Sequence, residues 1–308
     1  MRAPFFEAAG DKTFAFGRNW LSYTKLVSEQ RIAAATASLA EALPYPDMTG
    51  RSFLDVGCGS GLFSLAAQRL GATVHSFDQD AESVRAAAWL RGRFGSLDGW
   101  VIEQGSIIDH DYTRRIGQFD VVYAWGVLHH TGDLWTALAA AAGLVAPNGS
   151  LFVAVYNDQG FESRVWTRVK RSYNDASPLN RRLLIAASYC YLHRHDPLRT
   201  AARLALRRRG TAGRVLRPRG MSARHDLVDW VGGYPFEVAK PERVFTAVHD
   251  RGFELRRLTT CAGGLGCNEF VFERRSAGDG TTAEDGAYRD QAKSGICAPR
   301  QQRPDAGA

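Results

Sequence analysis

The run Leu54-Asp55-Val56-Gly57-Cys58-Gly59-Ser60-Gly61 sets a carboxylate two residues ahead of three alternating glycines, and a second carboxylate, Asp78, follows 17 residues after the last of them. Glycine carries no side chain and tolerates positive φ, so such a turn lets a ligand approach the backbone closely. A carboxylate at a strand tip can accept hydrogen bonds from both hydroxyls of a ribose. Together these residues describe a nucleoside site. The flanks position it: the mostly apolar Phe53 to Val56 predicts a short buried strand, and Leu62 to Leu70 has helical spacing. The turn therefore joins a strand to a helix whose first N–H groups are free to donate. A second strand, Thr73 to Phe77, is expected to end at Asp78.

The glycine order bears on which nucleoside. A dinucleotide fingerprint reads G-x-G-x-x-G and faces a pyrophosphate; here the order is G-x-G-x-G, with Leu62 where the last glycine would stand. Asp55 sits poorly beside an anionic pyrophosphate and well beside a cation such as an α-amino group or a sulfonium. On these residues the chain resembles the class I S-adenosylmethionine-dependent methyltransferases, whose first motif is D/E-x-G-x-G-x-G with an acid ending the second strand. The resemblance implies S-adenosyl-L-methionine as cofactor, held by Asp55, Gly57, Gly59, Gly61, Asp78 and Gln79. A tight connection without a ligand and a dinucleotide site are the alternatives.

The likeness continues down the chain. Trp100 to Gln104 reads as a third strand, after which the family often carries a Gly-Asp pair on the adenine; here Ser106 replaces the acid, and Ser106 and Ile107 are the expected adenine neighbours. Phe119 to Ala124 looks like the fourth strand, with Trp125 at a position that lines the cofactor in the family and His129-His130 in the loop beyond. An alanine-rich helix from Leu134 to Leu144, the turn Pro147-Asn148-Gly149 and a strand from Leu151 to Tyr156 complete the matching part, Ser52 to Tyr156. Its nearest look is that of the ubiquinone-biosynthesis O-methyltransferase group and its small-molecule relatives. The implied fold is α/β, a Rossmann-like seven-stranded sheet, mostly parallel with an antiparallel last strand. Later segments fit it: a helix over 242–252 started by Pro241 and stopped by Gly252, then strands over 253–260 and 269–273.

The elements that must position this site divide the chain into five parts: a helical cap over 1–50, the cofactor core over 51–157, a basic helical insertion over 158–224, the end of the core over 225–275 and a tail over 276–308. The tail has almost no apolar bulk and is expected to be disordered. The cap sets Phe14, Phe16 and Trp20 beside Arg18, and a helix with Ile32, Ala35, Leu39 and Leu43 on one face follows. In the ubiquinone-type relatives an upstream arginine pairs with the methionine carboxylate, which makes Arg18 and Arg31 the two candidates. With 308 residues, 45% hydrophobic, the chain is long enough for one sizeable α/β domain plus a small lobe. It contains no apolar run of about 18 residues and no signal-peptide pattern at Met1 to Glu7, so a cytoplasmic protein is expected. Five cysteines, odd in number and without zinc-type pairing, suit a reducing compartment and argue against a structural metal.

Charge collects in the insertion, where residues 158–224 hold 16 Lys plus Arg against 4 Asp plus Glu, although the whole chain nets only +7. Leu183 to Leu192 is apolar but too short to span a bilayer, and Arg203 to Arg209 reads as a basic helix. A solvated face, a lobe for an anionic or lipid-like acceptor, a peripheral membrane contact through 164–224 and an RNA surface compete as readings. Nucleic acid is the least favoured, because Tyr123-Ala124-Trp125-Gly126 stands where amino-directed nucleic-acid methyltransferases carry Asn/Asp-Pro-Pro-aromatic.

Methyl transfer asks mainly that two reactants be held in line. If the acceptor is a phenol or alcohol a general base helps, and a histidine is the natural choice. His130 and His129 lie beyond the fourth strand, on the side where such ligands bind, and His225 opens an apolar segment, His225 to Phe236, expected as a loop forming the acceptor wall. The expected activity is methyl transfer to a small-molecule or lipid-like acceptor, with oxygen favoured; a non-catalytic or RNA-binding platform on the same fold is the alternative. Oxygen, nitrogen and carbon targets all stay open, and one chain sets no oligomeric state.

Overall fold

A computed structural model describes residues 13–194 and 218–275. In chain order the elements are α1 (Phe16–Thr24), α2 (Glu29–Ala42), β1 (Ser52–Val56), α3 (Leu62–Arg69), β2 (Thr73–Asp78), α4 (Ala81–Phe94), β3 (Trp100–Gln104), α5 (His110–Ile116), β4 (Phe119–Trp125), α6 (Leu134–Gly143), β5 (Val145–Tyr156), α7 (Phe161–Asp175), α8 (Pro178–Leu192), α9 (Ala223–Gly232), α10 (Pro241–His249), β6 (Phe253–Thr259) and β7 (Cys267–Arg274). The strands form one seven-stranded sheet in the order β3-β2-β1-β4-β5-β7-β6. β1 pairs in parallel with β2 and β4, whereas β7 runs antiparallel to β5 and β6. This is the mostly parallel sheet with a reversed last strand that the resemblance implied.

Alternation along the strands builds two cores. Leu54, Val56, Val122 and Ala124 face one side, where α6 and α10 bring Ala137, Leu138, Val244 and Val248. Phe53, Val121 and Tyr123 face the other, against Ile32, Ala35 and Leu39 of α2 and Leu62, Leu65 and Ala66 of α3. Because successive side chains of a strand point to opposite faces, a sheet covered on both sides needs apolar residues at nearly every position, as in Phe53 to Val56. Asp55 is the exception, a carboxylate buried among them.

Strand order reverses between β1 and β4. Such a switch point opens a crevice beyond the C-terminal strand ends, and the glycine turn after β1 and the Trp125–His130 segment after β4 both lead into it. Asp80, Asp109 and Asp133 start the helices that follow, each accepting a backbone N–H of the first turn.

Two expectations are corrected. Residues 225–236 do not form a loop: Ala223–Gly232 is the helix α9, burying Leu227 and Val231 four residues apart on one face. The glycine pair Gly232-Gly233, which suggested a loop, ends that helix. Likewise the fifth strand begins at Val145 instead of Leu151; the ladder jumps from Phe119–Val145 to Val121–Ser150, and Pro147-Asn148-Gly149 bulges out between them with Asn148 at φ 60. Leu183 to Leu192 does lie in a helix, α8. The expected basic helix Arg203 to Arg209 and the tail 276–308 lie outside the described residues. Among the described residues no helix is long and apolar enough to cross a membrane.

Candidate functional site

A cavity of about 730 Å³, of the size usual for small-molecule sites, occupies the crevice. Asp55, Gly57, Cys58 and Gly59 border it from the end of β1, Asp78 and Gln79 from β2, Ser106 and Ile107 from β3, and Trp125 and His130 from β4. The glycine turn and both acids thus converge as their spacing indicated. Gly57 and Gly59 sit at φ +64 and +54, and a Cβ on either would strike Val127 or the Trp20 indole at 2.5 and 2.9 Å. Gly61 differs: it does not line the cavity, and its hydrogen-only face lets α3 approach Ala87 of α4, where a Cβ would come within 2.9 Å.

Asp78 is pinned by the backbone. Its Oδ2 accepts from the Gly59 N–H at 3.0 Å and its Oδ1 from the Asp80 N–H at 2.9 Å, which ties the end of β2 to the glycine turn. Burial still pushes its carboxyl up to about 6. Asp55 is held from behind, its Oδ2 accepting from the Ser64 hydroxyl at 2.5 Å, and burial pushes it up to about 7. Two carboxyls driven above their ordinary range beside an open cavity lack a positive partner, and a cationic ligand would supply one.

The cap closes over this mouth. Phe14 and Phe16 line the cavity with Trp20; the Gly17 N–H donates to Asp80 at 2.9 Å, the Phe14 N–H to the Tyr234 carbonyl at 3.0 Å. Neither candidate arginine reaches the cavity. Arg18 is exposed beside Glu82 at 4.0 Å. Arg31 is buried, donating to the Gly220 and Met221 carbonyls at 2.6 and 2.7 Å, so it anchors the returning chain to α2. The arginine on the cavity is Arg219, which sequence reasoning missed because it lies in the insertion among many cations. It adopts φ 66, an uncommon backbone for a non-glycine residue. Its guanidinium covers Trp125 at 3.7 Å, donates to the Tyr123 hydroxyl at 2.6 Å and meets Glu269 at 3.6 Å.

The histidines separate sharply. His129 is fully buried away from the cavity against Tyr156, makes no hydrogen bond of normal geometry through either ring nitrogen, and is held well below its usual value by burial. His225 is buried in α9 between the Ser222 and Ser22 hydroxyls and beside Tyr23. Neither can take a proton from a ligand in the cavity, which corrects two of the three candidates. His130 does line it; its Nδ1–H donates to the Pro235 carbonyl at 2.6 Å, leaving Nε2 bare, and burial pushes the ring down to about 3.

The family that carries this motif set matches the chain itself: the methyltransferase domain covers residues 27–195, more than half of its length. The chain belongs to that family. Among curated proteins, the ubiquinone biosynthesis O-methyltransferase of Escherichia fergusonii is 32% identical over 111 residues, 36% of this chain and 45% of that protein. The chain therefore spans less than half the length of the curated relatives it matches. Among solved structures, an O-methyltransferase family protein from Burkholderia thailandensis is similar with TM-score 0.48 and 15% identity, covering 86% of this chain and 60% of the other. The magnesium protoporphyrin IX methyltransferase of Synechocystis PCC 6803 gives TM-score 0.45 and 15% identity, with 86% and 90% covered.

Beyond the matched methyltransferase domain, the segment 225–236 does form a cavity wall, through Asp226, Asp229, Trp230, Tyr234 and Pro235. Charge there runs against an anionic acceptor. Asp55, Asp78, Asp80, Asp226 and Asp229 all border the cavity, and Arg219 is the one Lys or Arg among the described residues that does. Lys170 on α7 is fully buried; its Nζ donates to the Trp230 carbonyl and lies 4.5 and 4.6 Å from the Phe236 and Trp230 ring centres, and burial pushes it down to about 7.

Proposed function

We propose that the protein transfers a methyl group from S-adenosylmethionine to a nucleophile, with oxygen favoured, on a small-molecule acceptor by in-line displacement. The observation that carries this reading is Asp78, fixed at the end of β2 by N–H groups of Gly59 and Asp80 in the cavity that Asp55 also borders. A carboxylate offers about four lone-pair directions, more than these two N–H groups take, which leaves acceptor capacity for a ribose hydroxyl. The residues fit the cofactor's charges as well, since Asp55 is buried, Asp78 is half-buried, and neither has a cation beside it.

When bound, S-adenosylmethionine supplies a methyl group already activated on a positively charged sulfur. The chain's part is to hold and to exclude water. Gly57 and Gly59 keep the backbone open, Gln79, Ser106 and Ile107 border the adenosine end, and Arg219 on Trp125 replaces Arg18 and Arg31 as the candidate partner of the methionine carboxylate. Phe14, Phe16 and Trp20 cover the mouth, where removing water strengthens every charge interaction inside. For a hydroxyl acceptor, the bare Nε2 of His130 can accept the O–H and orient the attacking oxygen; its low basicity makes it a positioning group more than a strong base.

Isothermal titration of S-adenosylmethionine into the wild type and Asp78→Ala tests this. Removing a carboxylate that receives a ribose hydroxyl should cost at least roughly tenfold in affinity; unchanged affinity overturns the placement.

A further inference from the structure

We propose that the acceptor is a cation, a molecule with an aromatic-sized body and a protonated amine, and that Asp229 holds the amine; this rests on the methyl-transfer reading above. The five carboxylates on the cavity fall into two groups. Asp55 and Asp78 stand at the ends of β1 and β2, and Asp80 is already engaged by the Gly17 and Glu82 N–H groups at 2.9 and 2.8 Å. Asp226 and Asp229 come instead from α9, three residues apart and so on one helix face. The nucleoside site proposed above uses neither of them.

Asp229 is the better placed of the pair. Its Oδ1 accepts from Asn19 Nδ2 at 2.8 Å, and the same amide nitrogen donates to the His225 carbonyl at 3.2 Å, so the carboxyl is oriented from α1. Among the described residues no other side chain hydrogen-bonds it. Trp20, Tyr156, Trp230 and Tyr234 border the same space, and aromatic faces attract cations. Neither nearby cation forms an ion pair with it: Arg219 meets Glu269 and Tyr123, and Lys170, which does not line the cavity, donates to the Trp230 carbonyl. Burial, with Asp226 adding to it, pushes the Asp229 carboxyl up to about 8 although the Lys170 ammonium acts against the rise, so that one cation leaves the counter-charge of the two acids incomplete. An ammonium group supplies that charge, whereas a carboxylate or phosphate on the acceptor would meet two acids.

The test uses the full chain saturated with S-adenosylhomocysteine, its affinity measured first, and three probes of similar size: tyramine, 4-ethylphenol and 3-(4-hydroxyphenyl)propanoate. By calorimetry tyramine should bind at least roughly tenfold tighter than either of the others, the worth of one charge-assisted hydrogen bond. Asp229→Asn, isosteric with the native residue, should abolish the preference and retain S-adenosylhomocysteine affinity. Equal binding of the three probes, a preference for the propanoate, no binding of tyramine, or a preference that survives Asp229→Asn overturns the inference. The wild-type ranking decides even if the variant fails to fold. Failure of the wild type to bind S-adenosylhomocysteine would overturn the methyl-transfer reading itself, an outcome distinct from loss of amine selectivity with the nucleoside bound.

Discussion

The Ser64 hydroxyl donates to the Asp55 carboxylate at 2.5 Å, and it is the last link of a buried relay in which Trp100 Nε1 donates to Ser76 at 2.7 Å and Ser76 to Ser64 at 2.8 Å. Three elements, β3, β2 and α3, thereby fix one acid at the end of β1. Ser64→Ala removes the bond that opposes protonation of Asp55. Its loss should weaken S-adenosylmethionine binding roughly tenfold, the worth of a hydrogen bond to a charged group, and the deficit should be larger in mildly acidic than in mildly alkaline buffer. Titration calorimetry at two pH values measures it; an affinity equal to wild type at both would show that the relay does not tune Asp55.

Cofactor affinity should itself depend on pH. The carboxyls of Asp55 and Asp78 are raised to about 7 and about 6, so the ligand-free protein holds protons on them near neutrality. A cationic ligand favours the ionised forms, so binding releases protons and affinity falls as pH drops through 7 towards 6. For the ligand-free fold the sign is opposite. Each raised carboxyl contributes stability that is complete below its ordinary value of 3.8 and is lost as pH rises through its folded value. Binding enthalpies in buffers of different ionisation heat count the released protons, and a proton count of zero across this range contradicts the assignment.

Gly59 and Gly61 should fail in different ways. Gly61 is at φ +77, and its Cβ would meet Ala87 Cβ at 2.9 Å and Ala87 Cα at 3.0 Å, so Gly61→Ala forces α3 from α4. About 1–3 kcal/mol of stability should be lost by overpacking and backbone strain. Gly59→Ala instead drives a methyl group into the Trp20 indole on the cavity wall, so its larger effect should fall on nucleoside binding. Urea unfolding paired with calorimetry separates the two.

His129→Leu should leave folding stability unchanged or raise it. The ring is buried with neither nitrogen in a hydrogen bond of normal geometry, and replacing an unsatisfied polar group with an apolar one of similar size is near neutral or favourable. Chemical denaturation that showed a loss of more than about 2 kcal/mol would mean that the ring's packing or a polar role outweighs this.

Much of the cofactor end was legible because it is local. Asp55 lies near the end of β1, Gly57 and Gly59 follow that strand, and Asp78 ends β2, which β1 pairs in parallel. Strand and helix periodicity around them needed only nearest neighbours. The helix α9 was hidden because its glycine pair looked like a turn, and the bulged start of β5 because Pro147-Asn148-Gly149 reads as a break.

By itself the amino-acid sequence determined the sheet, the glycine turn and its two acids, since short-range backbone chemistry dictates them. Tertiary structure alone decided which polar side chains face the cavity. His129 and His225 are buried out of reach, Arg31 is consumed by carbonyls of a segment nearly two hundred residues away, and Arg219 arrives from the end of the insertion and Asp229 from α9. The type of a titratable residue states what it could do. Its burial and its partners, which depend on contacts between distant segments, set whether it is charged, engaged or free to meet a ligand.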